Sequence, residues 1–373
     1  QKNWQKRPLP LWKRQEVQKM LWCKFMITDF EKIDNENINN EVIEKAAGIL
    51  QKGGLVAFPT ETVYGLGANG LNAEACKKIY EAKGRPSDNP LILHIGHISQ
   101  LKDIVLEVPE KAQKVIDAFW PGPVTIVFKK RDIVPDSVSG GLDTVAVRFP
   151  SNKTARLIIN ASGVPVAAPS ANTSGKPSPT KAEHVLHDMN GKIDMIVDGG
   201  SCPVGLESTI IDVTGPVPAL LRPGAITKEM LESVIGEISV DPAVYKMLSK
   251  DQKPKAPGMK YKHYSPDADV ALVVGDEKKV IEKINALCLQ DNKNGLKTGV
   301  LCREKNTDKY KADFVLSAGD SIETAGARLF DILREFDALK ADKVYSEVFE
   351  EKGEGLAVMN RLKKAAGHKF IEA

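Results

Sequence analysis

Residues 83–95 read Lys83-Gly84-Arg85-Pro86-Ser87-Asp88-Asn89-Pro90-Leu91-Ile92-Leu93-His94-Ile95. A helix-compatible run that Asn72 can cap ends at Gly84, and an apolar strand opens at Leu91. The prolines and paired cations between them make a stiff, shaped, positive loop. The same alternation of helix, loop and short strand recurs outward. Asn39 and Asn40 can cap a helix to about residue 51, stopped by Gly53-Gly54. Strands are expected over 55–58, 124–129, 144–149, 164–168, 195–198, 209–213 and 219–221. Helices are expected over 109–119, from Asn152 and from Thr227. This mixture predicts one α/β domain over 26–240.

Residues 241–268 break the pattern. Lys253-Pro254-Lys255-Ala256-Pro257-Gly258 suits neither a helix nor a central strand and reads as an extended linker. Beyond it, strands over 270–274, 298–302, 313–316 and 343–345 alternate with helices over 277–289 and 321–339. A smaller Rossmann-like domain over 269–373 is expected.

A chain of 373 residues exceeds one compact core, which agrees with two domains. The formal charge of +3 is unevenly placed. Residues 1–25 carry Lys2, Lys6, Arg7, Lys13, Arg14, Lys19 and Lys24 against Glu16, a net of +6, leaving −3 for the rest. The body therefore does not suit a large nucleic-acid footprint. The arm also holds Trp4, Trp12 and Trp22 but no continuous apolar segment, which argues against a signal peptide. It reads as a poorly ordered extension with the fold opening at Met26, the alternative being an arm that touches RNA or a membrane surface. Five scattered cysteines form no CxxC pair, against a zinc knuckle or disulfide framework and in favour of a reducing, cytoplasmic setting. No apolar run reaches the ~20 residues of a membrane helix.

A second loop, Ser170-Ala171-Asn172-Thr173-Ser174-Gly175-Lys176-Pro177-Ser178-Pro179-Thr180, is rich in hydroxyls and backbone donors. With the first it suggests a site for a polyanion, most simply a nucleoside triphosphate. The usual phosphate loop is absent: Gly175-Lys176 precedes Pro177 and Gly191-Lys192 precedes Ile193. Side chains would then hold the phosphates, Lys83 as a point charge and Arg85 as a fork. For Lys83 the alternative is a solvated helix end, where a cation suits the dipole. Gly65-Leu66-Gly67-Ala68-Asn69-Gly70 matches GxGxxG, but Pro59 to Tyr64 separate it from its strand. A bend with positive φ and close packing is the better expectation. His94 and His97 lack a third ligand nearby, so His94 reads as structural or substrate-orienting. Arg148 ends an apolar strand, a costly place unless an anion meets it, and is a candidate carboxylate clamp. None of Ser170, Ser174, Ser178 and Ser208 lies in a GxSxG elbow, against a serine hydrolase. Arg222-Pro223-Gly224 adds another cation at a strand end.

These segments in this order resemble the threonylcarbamoyl-AMP synthase family. The resemblance rests on Phe58-Pro59-Thr60-Glu61-Thr62-Val63-Tyr64-Gly65-Leu66-Gly67, the 83–90 loop and Trp120-Pro121-Gly122-Pro123. It continues through Leu142-Asp143-Thr144-Val145-Ala146-Val147-Arg148, Ala168-Pro169-Ser170-Ala171-Asn172, Glu207-Ser208-Thr209-Ile210 and Leu221-Arg222-Pro223-Gly224. The linker Ala256-Pro257-Gly258-Met259-Lys260-Tyr261-Lys262-His263-Tyr264 and the second domain resemble its long, two-domain branch. The resemblance spans about residues 26–373.

It implies a YrdC-like twisted mixed sheet around a large positive concavity, plus the Rossmann-like domain. It implies that L-threonine, bicarbonate and ATP give threonylcarbamoyl-AMP and pyrophosphate, with Mg2+ accompanying ATP. Downstream transfer proteins would then modify tRNA, with no stable nucleic-acid binding by this chain and no membrane. Carried over, Thr62, His94, Arg148, Ala168 (by its backbone) and Ser208 would hold threonine. Arg85, Asn89, Thr144, Ser170, Ser178, Arg222 and Tyr261 would hold ATP, with Lys83 and Asn172 along the phosphates. Because the intermediate of such a reaction is labile and needs shielding from water, the linker carrying Tyr261 and His263 is expected to close over the site as a lid. Two other classes stand beside this one. An RNA-binding module of the translation apparatus is opposed by the near-neutral body and by an aromatic content of 6%. A carbamoyl transferase of related fold would carry zinc-finger cysteines, which are missing here.

Overall fold

A computed structural model describes residues 27–34, 37–245, 254–257 and 263–373. The basic arm, most of the linker and Tyr261 lie outside the described residues. The first part runs β1 (Asp29–Lys32), α1 (Asn40–Gln51), β2 (Val56–Phe58), β3 (Gly65–Asn69), α2 (Ala73–Lys83), β4 (Ile92–His94), α3 (Leu101–Ile104), α4 (Glu110–Phe119), β5 (Val124–Lys129) and α5 (Asp136–Ser139). It continues with β6 (Thr144–Arg148), α6 (Lys153–Ser162), β7 (Val166–Ala167), α7 (Ala182–Met189), β8 (Met195–Asp198), β9 (Thr209–Asp212), β10 (Ala219–Arg222), α8 (Lys228–Ile235) and β11 (Ser239–Val240). All eleven strands join one mixed sheet, in the order β1-β8-β2-β3-β7-β4-β6-β5-β9-β10-β11.

Side-chain alternation divides the two faces of this sheet. Leu93, Ile126 and Val147 enter the main core with Ile79 of α2, Val115 of α4, Val185 of α7 and Leu231 of α8. On the other face α1 and α6 cover only the β1–β7 side, where Leu50 and Ile158 meet Phe58 and Val166. The remaining stretch of that face carries His94, Arg148 and Thr125. Register sets them side by side, His94 opposite Arg148 and Arg148 opposite Thr125.

Local signals explain most helix ends. Asn39, Asn72, Asn152 and Thr227 all accept from first-turn amides, and Gly84 closes α2 in the left-handed conformation at φ +61°. The GxGxxG segment differs from expectation. Gly65, Gly67 and Gly70 have no positive φ, and the segment is strand β3 between β2 and β7. Close packing is the reason for glycine there: a Cβ on Gly67 would meet Phe58 at 2.7 Å, and one on Gly70 would meet Leu93 at 2.4 Å. Strands β1 and β11 and the short helices α3 and α5 add to the expected pattern.

The second part holds β12 (Asp269–Val274), α9 (Glu277–Lys293), β13 (Thr298–Cys302), β14 (Phe314–Ser317), α10 (Ile322–Ala338), β15 (Lys343–Ser346), α11 (Gly355–Ala365) and β16 (Phe370–Glu372). Its strands form a five-stranded, all-parallel sheet in the order β14-β13-β15-β12-β16. Helix α11 and strand β16 add to the expected pattern. One face of α10 and α11 packs against the first part. Val63 and Leu206 share a core with Tyr264, Leu329, Phe330 and Val358. Gly205, at φ +72°, lets its loop approach α10 so closely that a Cβ would lie 2.4 Å from the Ala327 carbonyl oxygen. Polar ties flank this core. Arg334 donates to both carboxylate oxygens of Asp188, at 3.1 and 2.9 Å, and Lys181 meets Asp331 at 2.8 Å.

Candidate active site

The part of the sheet face left open by α1 and α6, together with the two loops, encloses a cleft. Among the described residues Lys83, Arg85, Arg148 and Arg222 reach it, against Glu207 on the wall and Glu61 behind Arg148. The concavity is therefore positive, as expected. His94, Ala168, Ser170, Asn172, Ser178 and Ser208 also line it. Thr62, Asn89 and Thr144 are not on its wall. Thr62 is buried one residue layer back, its hydroxyl 2.9 Å from that of Thr60, which does line the cleft.

Lys83 is buried rather than solvated, with 2% of its surface exposed. Its ammonium donates to the carbonyl oxygens of Ser170 and Asn172, with Asn172 Oδ1 3.5 Å away. Helix α2 thus pins the 170–180 loop by its last residue. Burial, helped by the Arg85 charge, pushes the Lys83 pKa well below the usual lysine range. Asn172 passes the tie along: its Oδ1 accepts from Ser170 Oγ and its Nδ2 donates to the carbonyls of Thr173 and Lys176. Further bonds run from Ser174 N to the Lys83 carbonyl and from Ala171 N to the Tyr64 carbonyl. Arg85 donates through Nη2 to the Pro90 carbonyl at 3.2 Å, which holds the first loop to its own shape.

On the sheet face, His94 Nδ1 sits 3.2 Å from the Ile92 carbonyl oxygen. A carbonyl only accepts, so Nδ1 carries the proton. Burial, then the Arg148 charge, lowers the His94 pKa to about 3, so the imidazole is neutral. Arg148 Nη2 is 2.9 Å from Glu61 Oε1. The anion that this strand-end arginine requires is supplied from within the chain. Burial opposes the charge on Glu61, but Arg148 beside it leaves the pKa below the usual carboxylate value. Ala168 donates its amide to the Ile92 carbonyl, so any backbone contact it makes to a ligand falls to its own carbonyl. Ser208 Oγ lies 2.7 Å from Thr125 Oγ1 and accepts from Arg222 Nη2 at 3.1 Å. Burial lowers the Arg222 pKa to about 10, which leaves it charged.

Residues around the linker close the remaining side. Pro257, His263 and Tyr264 line the cleft. Tyr264 holds a left-handed backbone, φ +65°, and stacks on Phe330 at 5.1 Å between ring centres. His263 Nε2 is buried without a hydrogen-bond partner among the described residues, and burial lowers its pKa to about 3. Glu61, Glu207, Thr125 and Tyr264 belong to the site's framework. Glu61, Glu207 and Tyr264 stand inside motif stretches, but nothing local to them tells what they pair with.

Metal binding finds no protein cage here. Among the described residues no three His, Cys, Asp or Glu side chains gather, and both carboxylates at the cleft pair with arginines.

A family model described as "Telomere recombination", for Sua5, YciO and YrdC proteins, matches residues 48–224. One described as "Threonylcarbamoyl-AMP synthase, C-terminal domain" matches 226–367. Threonylcarbamoyl-AMP synthase of Pyrococcus abyssi is 51% identical over 337 residues, covering 90% of this chain and 97% of that one. That of Bacillus subtilis is 50% identical, covering 91% and 96%. A crystal structure of P. abyssi Sua5 complexed with L-threonine superposes with a TM-score of 0.88 at 49% identity, covering 93% of this chain and 100% of that one. Fold and cleft thus define a YrdC-type α/β protein with a second, parallel-sheet domain. The chain belongs to the threonylcarbamoyl-AMP synthase family, in its two-domain form.

Proposed function

We propose that this cleft is where L-threonine, bicarbonate and ATP are converted to threonylcarbamoyl-AMP and pyrophosphate, a nucleotidyl transfer that supplies tRNA modification. The observation that carries the reading is the meeting of two residue sets in one positive cleft. His94, Arg148, the Ala168 backbone and Ser208 form the threonine end, backed by Thr62. Lys83, Arg85, Ser170, Asn172, Ser178 and Arg222 form the ATP end, with Asn89 and Thr144 supporting from outside the wall. Tyr261, assigned to ATP on the family pattern, is outside the described residues.

The chemistry suits such a site. The threonine amine forms a bond to the carbon of bicarbonate-derived carbon dioxide, giving a carbamate, and the amine proton leaves with the bicarbonate hydroxyl as water. A carbamate oxygen then attacks the α-phosphorus, and the bond to the β,γ-pyrophosphate breaks with its electron pair. No protein nucleophile is required; positioning and charge neutralisation carry the step. Arg85 and Arg222 at the ATP end provide the neutralisation, while Lys83 holds the 170–180 loop and Arg148 faces Glu61. Neutral His94 leaves an uncharged imidazole beside the substrate rather than a competing cation. Mg2+ belongs to this reading as the companion of ATP, which would bring it to the cleft.

The carbamate is labile, and walls from both domains limit its exposure to water. Cys76, Cys202, Cys288 and Cys302 are free and buried, which supports a reducing, cytoplasmic setting. No helix among the described residues is long and apolar enough to cross a membrane. Downstream transfer proteins would take the product onward. Incorporation of isotope-labelled bicarbonate into a threonine–AMP adduct tests the reading. Adduct formation without carbon label, or none at all, overturns it.

A further inference from the structure

Glu207 receives hydrogen bonds from both domains. Ser178 Oγ donates to its Oε1 at 2.5 Å, and Arg361 Nε of α11 donates to its Oε2 at 2.8 Å. Arg361 is fully buried. Its Nη1 donates to Asn360 Oδ1 at 3.0 Å, while Asn360 Nδ2 donates to the Val244 carbonyl at 2.7 Å. Its guanidinium also lies 5.7 Å from the Tyr264 ring centre. The cation is therefore fixed from several sides, and it fixes Glu207 in turn. A guanidinium removed from water needs such a partner.

A serine hydroxyl has one proton to donate. That of Ser178 is committed to Glu207, so toward the cleft its oxygen offers lone pairs only. Phosphate oxygens are acceptors and find no donor there. The ribose hydroxyls and the adenine amino group of a nucleotide are donors.

We propose that Arg361, supplied by the second domain, is a positioning residue for nucleotide recognition: by holding Glu207 it fixes Ser178 as an acceptor for a hydrogen-bond donor on the sugar or base of ATP. The inference rests on the function proposed above and gives the second domain a part in it. Arg361 itself touches no substrate.

The test uses the full chain and threonine-dependent pyrophosphate release. KM is measured for ATP, 2′-deoxy-ATP, 3′-deoxy-ATP and purine riboside triphosphate, which lacks the amino group, and inhibition by inorganic pyrophosphate is measured alongside. In the wild type, the analogue missing the recognised donor has a KM at least about tenfold above that of ATP. Which analogue responds separates sugar from base. Ser178→Ala and Arg361→Gln raise the KM for ATP and bring that analogue level with it; Arg361→Lys restores part of the preference. Pyrophosphate inhibition is unchanged throughout.

Arg361→Gln leaves a lone buried carboxylate and can fail to fold. The neutral pair Arg361→Met with Glu207→Gln removes that difficulty and is expected to fold while still losing the preference. A merely structural pair would let this double variant discriminate as the wild type does, which overturns the proposal. So does a wild type indifferent to all three analogues, a preference that survives in Arg361→Gln, or weaker pyrophosphate inhibition in Ser178→Ala. A wild type with no threonine-dependent release overturns the proposed function and this inference with it; the other failures overturn this inference alone.

Discussion

Arg148 Nη2 lies 2.9 Å from Glu61 Oε1 on the floor of the cleft, both side chains nearly withdrawn from solvent. The arginine proposed to hold threonine's carboxylate is therefore already oriented by a carboxylate of its own chain. Glu61→Ala removes that orientation and leaves a buried cation unpaired. It should cost about 3–5 kcal/mol of stability and raise the KM for threonine more than that for ATP. Urea unfolding and steady-state kinetics check both. Equal effects on the two substrates would contradict a role at the threonine end.

Lys83 offers a second test. As a solvated helix end its removal would be nearly neutral. With its ammonium on the Ser170 and Asn172 carbonyls, Lys83→Met strands buried acceptors at ~1–3 kcal/mol each and frees the loop that carries the ATP residues. Thermal unfolding should show a clear loss, and turnover should fall with it.

The contrast between these residues tells what the chain makes legible. Caps at Asn39, Asn72, Asn152 and Thr227 are local chemistry and could be read directly. The strandedness of Gly65–Asn69 could not: a glycine-rich run reads as a bend, and its extended form is imposed by the strands on either side. Lys83 and Arg85 are conspicuous because prolines and glycine frame them. Glu207 and Arg361 are separated by 154 positions, and no pattern near either one announces the other. Thr62 and Thr144 stand out only through family likeness, and the fold sets them off the cleft wall.

Gly70 tests the close-packing account of the GxGxxG segment. Its φ is not positive, so only space forbids a side chain. A Cβ would lie 2.4 Å from Leu93 and 2.7 Å from the Pro165 carbonyl oxygen. Gly70→Ala should cost about 1–3 kcal/mol without any specific loss of nucleotide affinity, measured by chemical unfolding and nucleotide titration.

Acid should destabilise the fold in two stages. His94 and His263 have pKa values of about 3, against about 6.5 when unfolded. The folded state binds fewer protons between those values, so stability falls as pH drops below about 6.5. Glu207 and Asp188 have pKa values of about 2, depressed from 4.5 and 3.8. Their contribution is present above the unfolded values and is lost as pH falls toward 2. Urea midpoints should decline from pH 7 to pH 5 and more steeply below pH 4.5. His94→Gln should flatten part of the first decline; an unaltered profile for that variant would contradict a neutral buried His94.

Pyrophosphate release from ATP and Mg2+, with and without L-threonine and bicarbonate, tests the central claim most directly. The account predicts release that requires both additions and falls sharply in Arg85→Ala and Arg148→Ala. Release indifferent to threonine, or ATP binding with no release under any condition, would contradict it.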